Sequence, residues 1–113
     1  MSSRHYRAHR MYESVVVFKP TLTEDEYRTK LNEVKDFIAK KGGTIVKEED
    51  WGTKNLAYKI SGFGHGRYYF FKIASDNPQL PNELDFYYKI NEDVIRWLNI
   101  LTKEEPSLSE KAS

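Results

Sequence analysis

Tyr12-Glu13-Ser14-Val15-Val16-Val17-Phe18-Lys19-Pro20-Thr21-Leu22-Thr23-Glu24-Asp25-Glu26-Tyr27 holds a strand, its stop and the start of a helix in one stretch. The β-branched run Val15-Val16-Val17 with Phe18 favours a pleated strand from Tyr12 to Lys19, and Pro20, which lacks an amide donor, ends its ladder. Thr23 then stands as N-cap with Glu26 at the third helical position, a capping box in which each side chain accepts from the other's backbone N–H. Leu22, just before the cap, is placed to staple onto Tyr27. Tyr27, Leu31, Val34 and Ile38 recur at steps of four, three and four, the spacing of one buried helical stripe. Gly42-Gly43 end the helix by supplying left-handed backbone.

Outward from that unit, residues 44–60 and 67–74 are strand-like, and Ser61-Gly62-Phe63-Gly64-His65-Gly66 joins them as the loop of a long hairpin. A second helix is expected from Gln79 to Lys89, with Leu80, Leu84, Tyr87 and Tyr88 toward the sheet and its start marked by Asn77 or Pro81. Val94 to Leu101 reads as the last strand. Residues 1–10, with Arg4, Arg7, Arg10, His5 and His9 and no apolar period, read as a flexible basic arm, and residues 104–113 as a mobile polar tail. That leaves one domain, residues 11–103. The order strand, helix, strand, strand, helix, strand is the α+β, ferredoxin-like split βαβ plan: a four-stranded antiparallel sheet in the order four, one, three, two, with both helices on one face. Arg67-Tyr68-Tyr69-Phe70-Phe71-Lys72-Ile73 alternates through the sheet, and Trp97 and Leu98 point opposite ways, so the uncovered face also receives apolar material. Such a face serves a protein partner or stacked bases, or simply tolerates solvent.

Composition excludes several classes of function. The 113 residues contain no cysteine, so there is no disulfide framework, thiolate metal site or thiol nucleophile. No apolar run reaches the roughly 20 residues of a spanning helix, and the start lacks the apolar core of a secretory signal, so a cytoplasmic protein is expected. Two of the histidines, His5 and His9, lie in the arm and His65 in the hairpin, without metal-ligand spacing. Gly62, Gly64 and Gly66 join strand to strand, whereas a phosphate loop runs from a strand into a helix N-terminus. Glu48 and Asp50 fall on one strand face and Glu49 on the other; with no acid-base partner beside them they read as charges guarding an edge strand. No catalytic residue, cofactor, metal or small-molecule substrate is expected. An RNA-recognition motif uses the same open sheet, but its third-strand signature of basic, Gly, aromatic, small, Phe, Val is not met by Ser61 to Gly66. A small acylphosphatase-type enzyme needs an anion cradle after strand one, where this chain has Lys19-Pro20-Thr21-Leu22. A formal net charge of +1 is weak for a protein that holds RNA alone, so any RNA contact should be local or shared with a partner.

Two phrases remain. Asp50-Trp51-Gly52-Thr53-Lys54-Asn55-Leu56-Ala57-Tyr58-Lys59-Ile60 mixes aromatics and cations inside a strand, and Lys89-Ile90-Asn91-Glu92-Asp93-Val94-Ile95-Arg96 joins a helix to a strand with cations at its edges. Over residues 12–103 the chain resembles the bacterial small-subunit ribosomal protein S6 family, which carries an Asp-Trp-Gly-basic-basic-x-Leu-Ala-Tyr run and a later basic-Ile-x-x-x-Val-x-Arg run. The resemblance implies no chemistry. It implies pairing with ribosomal protein S18 and binding of the pair to the 16S rRNA central domain during assembly of the subunit platform, the partner supplying much of the positive surface. Carried over by position, Lys54, Arg96, Lys89, Asn91, Arg10 and Tyr12 are the expected RNA contacts, and Trp51, Leu56, Tyr58 and Tyr68 the partner contacts. Trp51, Leu56 and Tyr58 are equally compatible with packing on the helix-covered face, and Lys54 and Arg96 with solvated strand charges. Thr53 and Asn55 stand where relatives often have a further arginine, and Lys59 where proline is usual.

Overall fold

A computed structural model describes residues 9–105 of the chain. The elements are β1 (His9–Phe18), α1 (Glu24–Lys40), β2 (Gly43–Ile60), β3 (Phe63–Ser75), α2 (Leu80–Lys89) and β4 (Val94–Glu105). Every neighbouring pair is antiparallel and the strands lie in the order β2-β3-β1-β4, as the alternation of strand and helix signals predicts. Residues 1–8 and 106–113, most of the expected arm and tail, lie outside the described residues. Within them the ladder runs further than the residue pattern suggested, because β1 and β4 still pair at His9↔Glu105 and Arg10↔Glu104. Charged residues at strand ends carry no apolar alternation by which to see them.

The capping box forms as read: Glu26 N donates to Thr23 Oγ1 at 3.1 Å, and Thr23 N donates to Glu26 Oε1 at 2.8 Å. Tyr27, Leu31, Val34 and Ile38 are the buried residues of α1. They meet Val16 and Phe18 of β1, Phe71 and Ile73 of β3, and Leu80, Leu84 and Tyr88 of α2 in one core. Both helices therefore cover the same sheet face. Tyr88 is fully buried, and its hydroxyl shares a 2.8 Å hydrogen bond with Ser14 Oγ, so neither polar group is stranded in the core. Tyr87, expected toward the sheet, is only partly buried and stacks on Phe37 of α1 with ring centroids 4.4 Å apart. The start of α2, open in the sequence between Asn77 and Pro81, draws on both: Gln79 is the N-cap, Pro81 stands in the first turn, and Asn77 braces the approach. Its Oδ1 accepts from Gln79 N at 2.9 Å, while its Nδ2 donates to Lys41 O at 2.8 Å and Glu83 Oε1 at 3.2 Å.

The hairpin departs from expectation at its tip. The loop is not Ser61 to Gly66 but the two residues Ser61 and Gly62, with φ of +52° and +86°, the positive pair that suits the twist of flanking strands. Phe63 to Gly66, His65 included, belong to β3. Gly66 serves close approach rather than a loop, since a Cβ there would lie 2.5 Å from Val17 Cγ1 and 3.2 Å from the Phe18 carbonyl oxygen. Between the pairs Asn55↔His65 and Ile60↔Phe63, Leu56, Ala57, Tyr58 and Lys59 face only Gly64. This excess bends the distal hairpin out of the plain ladder.

Candidate nucleic-acid and partner interface

The uncovered sheet face begins with Asp50-Trp51-Gly52. Gly52 N donates to Asp50 Oδ1 at 2.8 Å, Gly52 takes φ of +77°, and the β2–β3 register shifts between Asp50 and Gly52. The acid closes a local turn, the glycine accepts the left-handed backbone, and together they bulge the strand at Trp51. The indole lies flat on Phe70, centroids 5.2 Å apart and planes 8° from parallel, and its N–H donates to Glu49 Oε1 at 2.8 Å. Phe70 alternates with the core residue Phe71, so Trp51 sits on the open face and not under the helices.

Farther along the hairpin, Leu56 and Ala57 reach back over β1 and β4. With Val15, Val17, Tyr68, Arg96 and Leu98 they line a groove of about 390 Å³. Leu98 is 57% exposed, and Ile100 follows it on the same face. Of the expected partner residues, the groove takes in Leu56 and Tyr68. Trp51 stands over Phe70 beside it, and Tyr58 lies outside its lining. Val15, Val17 and Leu98 escaped the residue-by-residue expectation. The signal for them was the alternation in β1 and β4, which sets Val15 and Val17 opposite to Ser14 and Val16, and Leu98 opposite to Trp97.

Three carboxylates on the helix side, Glu24, Glu48 and Asp93, are each taken up by cations of the same side. Arg67 lies 3.7 Å over the Tyr27 ring and donates to Glu24 at 2.7 and 3.2 Å and to Asp50 at 3.0 Å. Its hydrogen bond holds the Glu24 carboxyl below its usual range. Lys35, at 2.7 Å, and the Tyr69 hydroxyl, at 2.6 Å, likewise hold Glu48 low. Asp93, held low first by Lys19, bridges Lys19 at 2.9 Å and Lys30 at 3.0 Å. By contrast, among the described residues Lys54, Lys59, Lys72, Lys89 and Arg96 make no ion pair. From Thr53 to Gly66 the chain has two lysines and no acidic residue, although the whole protein is nearly neutral.

The expected RNA residues do not form one cluster. Lys54 pairs with Gly66 and Arg96 with Val17, which puts both on the open side near the base of the hairpin. Lys89 ends α2 and Asn91 lies in the turn before β4, its Oδ1 accepting from Asp93 N at 3.0 Å. Arg10 stands at the opposite end of β1, where Nη1 donates to Asp76 O at 3.3 Å. Tyr12 is 3% exposed in the core and its hydroxyl donates to Asn77 O at 3.0 Å. The physical reason is alternation: Tyr12 shares the helix-covered face with Ser14, Val16 and Phe18. Its ring is therefore a packing element of the isolated chain. Among the described residues no group of acidic or imidazole side chains could hold a metal ion, and no helix is long and apolar enough to cross a membrane.

The model of the family Ribosomal protein S6 matches residues 11–100. The chain is similar to small ribosomal subunit protein bS6 of Aquifex aeolicus, at 55% identity over 101 residues, covering 89% of this chain and 92% of that one. The bS6 protein of a Nitratiruptor species is 42% identical over 104 residues, covering 90% and 80% of the two chains. Among solved structures, 30S ribosomal protein S6 from Thermotoga maritima superposes with a TM-score of 0.78 at 29% identity, covering 83% of this chain and 88% of the other.

Proposed function

This chain belongs to the ribosomal protein S6 family, and from that premise we propose that it binds the 16S rRNA central domain jointly with ribosomal protein S18. Membership makes it a non-enzymatic constituent of the small ribosomal subunit, working in the cytoplasm. The apolar groove under the hairpin, with Leu56, Tyr68 and the neighbouring Trp51, is the surface for S18. The unpaired cations around it face RNA. The observation that carries this reading is an exposed apolar groove on the uncovered sheet face, with Arg96 in its lining and Lys54 on the same face, both without carboxylate partners. Lys89, Asn91 and Arg10 extend the RNA surface to either end of the sheet, and Tyr12 supports that surface from the core. The unit that carries these roles is the domain of residues 11–103 together with Arg10, which the first strand includes.

Phosphate contacts by Lys and Arg fix position without reading bases, and each releases counterions from the nucleic acid. Replacing Lys54 and Arg96 together by alanine should leave the fold intact, because both side chains are exposed and unpaired, and RNA binding is read at saturating S18 because Arg96 also lines the groove. Binding of the pair to a central-domain fragment should weaken, and the slope of log affinity against log salt should flatten by about 0.7 to 0.9 per lost contact. Titrations at several salt concentrations check this. An unchanged slope would return both residues to the class of solvated strand charges.

A further inference from the structure

Tyr58 is 66% exposed, and among the described residues its side chain has no ring, hydrogen-bond or ion-pair partner. It belongs to the four residues that face Gly64 alone, so the backbone carries it out of the regular ladder instead of packing it. It also lies outside the groove whose lining includes Leu56 and Ala57, two and one residues earlier. Lys54 and Lys59 flank it without carboxylate partners, in a segment free of acidic residues.

We propose that Tyr58 is a stacking platform for an unpaired base of RNA, with Lys54 and Lys59 holding the adjoining phosphates. The inference rests on the reading that the chain binds rRNA, and it adds the class of nucleotide and the side chain that meets it. A protein-docking aromatic is usually anchored in a desolvated pocket among apolar neighbours. Tyr58 has the opposite setting, an exposed ring on a hairpin arm that carries two lysines and no acidic residue. That setting fits a splayed, single-stranded nucleotide, whose base offers a π-face and whose backbone offers anions. Every base has such a face, so Tyr58 adds affinity for single-stranded geometry without selecting a sequence.

The test uses the full chain paired with S18 and a 16S central-domain fragment. Stacking by one base is worth about 1–3 kcal/mol on alanine substitution, so Tyr58→Ala should weaken RNA binding roughly 5- to 150-fold. The salt slope should not move, since no phosphate contact is lost, and Tyr58→Phe and Tyr58→Trp should retain wild-type affinity. Pairing with S18 should be unaffected. The proposal is overturned if Tyr58→Ala binds like wild type, if Tyr58→Leu is as good as Tyr58→Phe, or if S18 pairing falls in parallel, which makes Tyr58 a protein contact. Absence of RNA binding by the wild-type pair would bring down the rRNA reading itself, and this inference with it.

Discussion

Phe71→Ala should lower the free energy of unfolding by about 3–5 kcal/mol, the usual cost of deleting a fully buried aromatic ring. Phe71 is 0% exposed, sits in the central strand β3 between β1 and β2, and packs under both helices with Val16, Phe18, Val34 and Tyr88. Its neighbour Phe70 points to the other face, where Trp51 is its stacked cover. Phe70→Ala should cost less, because Phe70 is 8% exposed and lies outside the core cluster that holds Phe71. Urea unfolding followed by circular dichroism compares the two variants directly. Equal losses would mean that both faces are core, and the open face would no longer be available to a partner. A domain of this size has only about 5–15 kcal/mol of stability, so Phe71→Ala consumes a large share of it.

The second large effect is expected in the groove. Leu98 is 57% exposed in the isolated chain, so Leu98→Asp should leave the monomer folded. On the proposed docking surface it places a carboxylate in the apolar lining with Leu56 and Tyr68. Burying a charge in that apolar lining, with only Arg96 beside it and desolvated along with it, costs about 2 kcal/mol, which weakens pairing with S18 roughly 30-fold. Isothermal titration of S18 with the wild-type chain and the variant reads this out. Equal affinities would move the S18 surface away from the groove.

The part of the fold fixed by local chemistry is legible in the residues themselves. The Thr23–Glu26 capping box, the stripe from Tyr27 to Ile38 and the proline after Phe18 each have one short-range cause, and together they place β1, α1 and the first crossover. What escaped depends on contacts distant in sequence. Gly64 and Gly66 look like loop glycines, yet Gly66 is needed because Val17 of another strand occupies the space of its Cβ. Trp51 could be read as core or surface until the bulge at Gly52 and the stack on Phe70 put it on the open face. The resemblance drew attention to Tyr12 as an RNA contact, although plain alternation with Ser14, Val16 and Phe18 already pointed it into the core. Lys54 and Arg96 were legible as cations, but their lack of carboxylate partners was not. That property depends on how Glu24, Glu48, Asp50 and Asp93 are taken up by Arg67, Lys35, Lys19 and Lys30 across the fold.

A near-neutral chain whose open-face cations Lys54 and Arg96 lack carboxylate partners fits recognition of RNA shared with S18. The decisive measurement is the affinity of a 16S central-domain fragment for the isolated chain and for the chain saturated with S18, both at physiological salt. Coupling between two binding events is typically worth about 5- to 150-fold in affinity. The isolated chain should bind weakly, and S18 should tighten RNA binding by a factor in that range. Tight, sequence-selective binding by the isolated chain that S18 leaves unchanged would contradict the account and make this domain a solitary RNA-binding module.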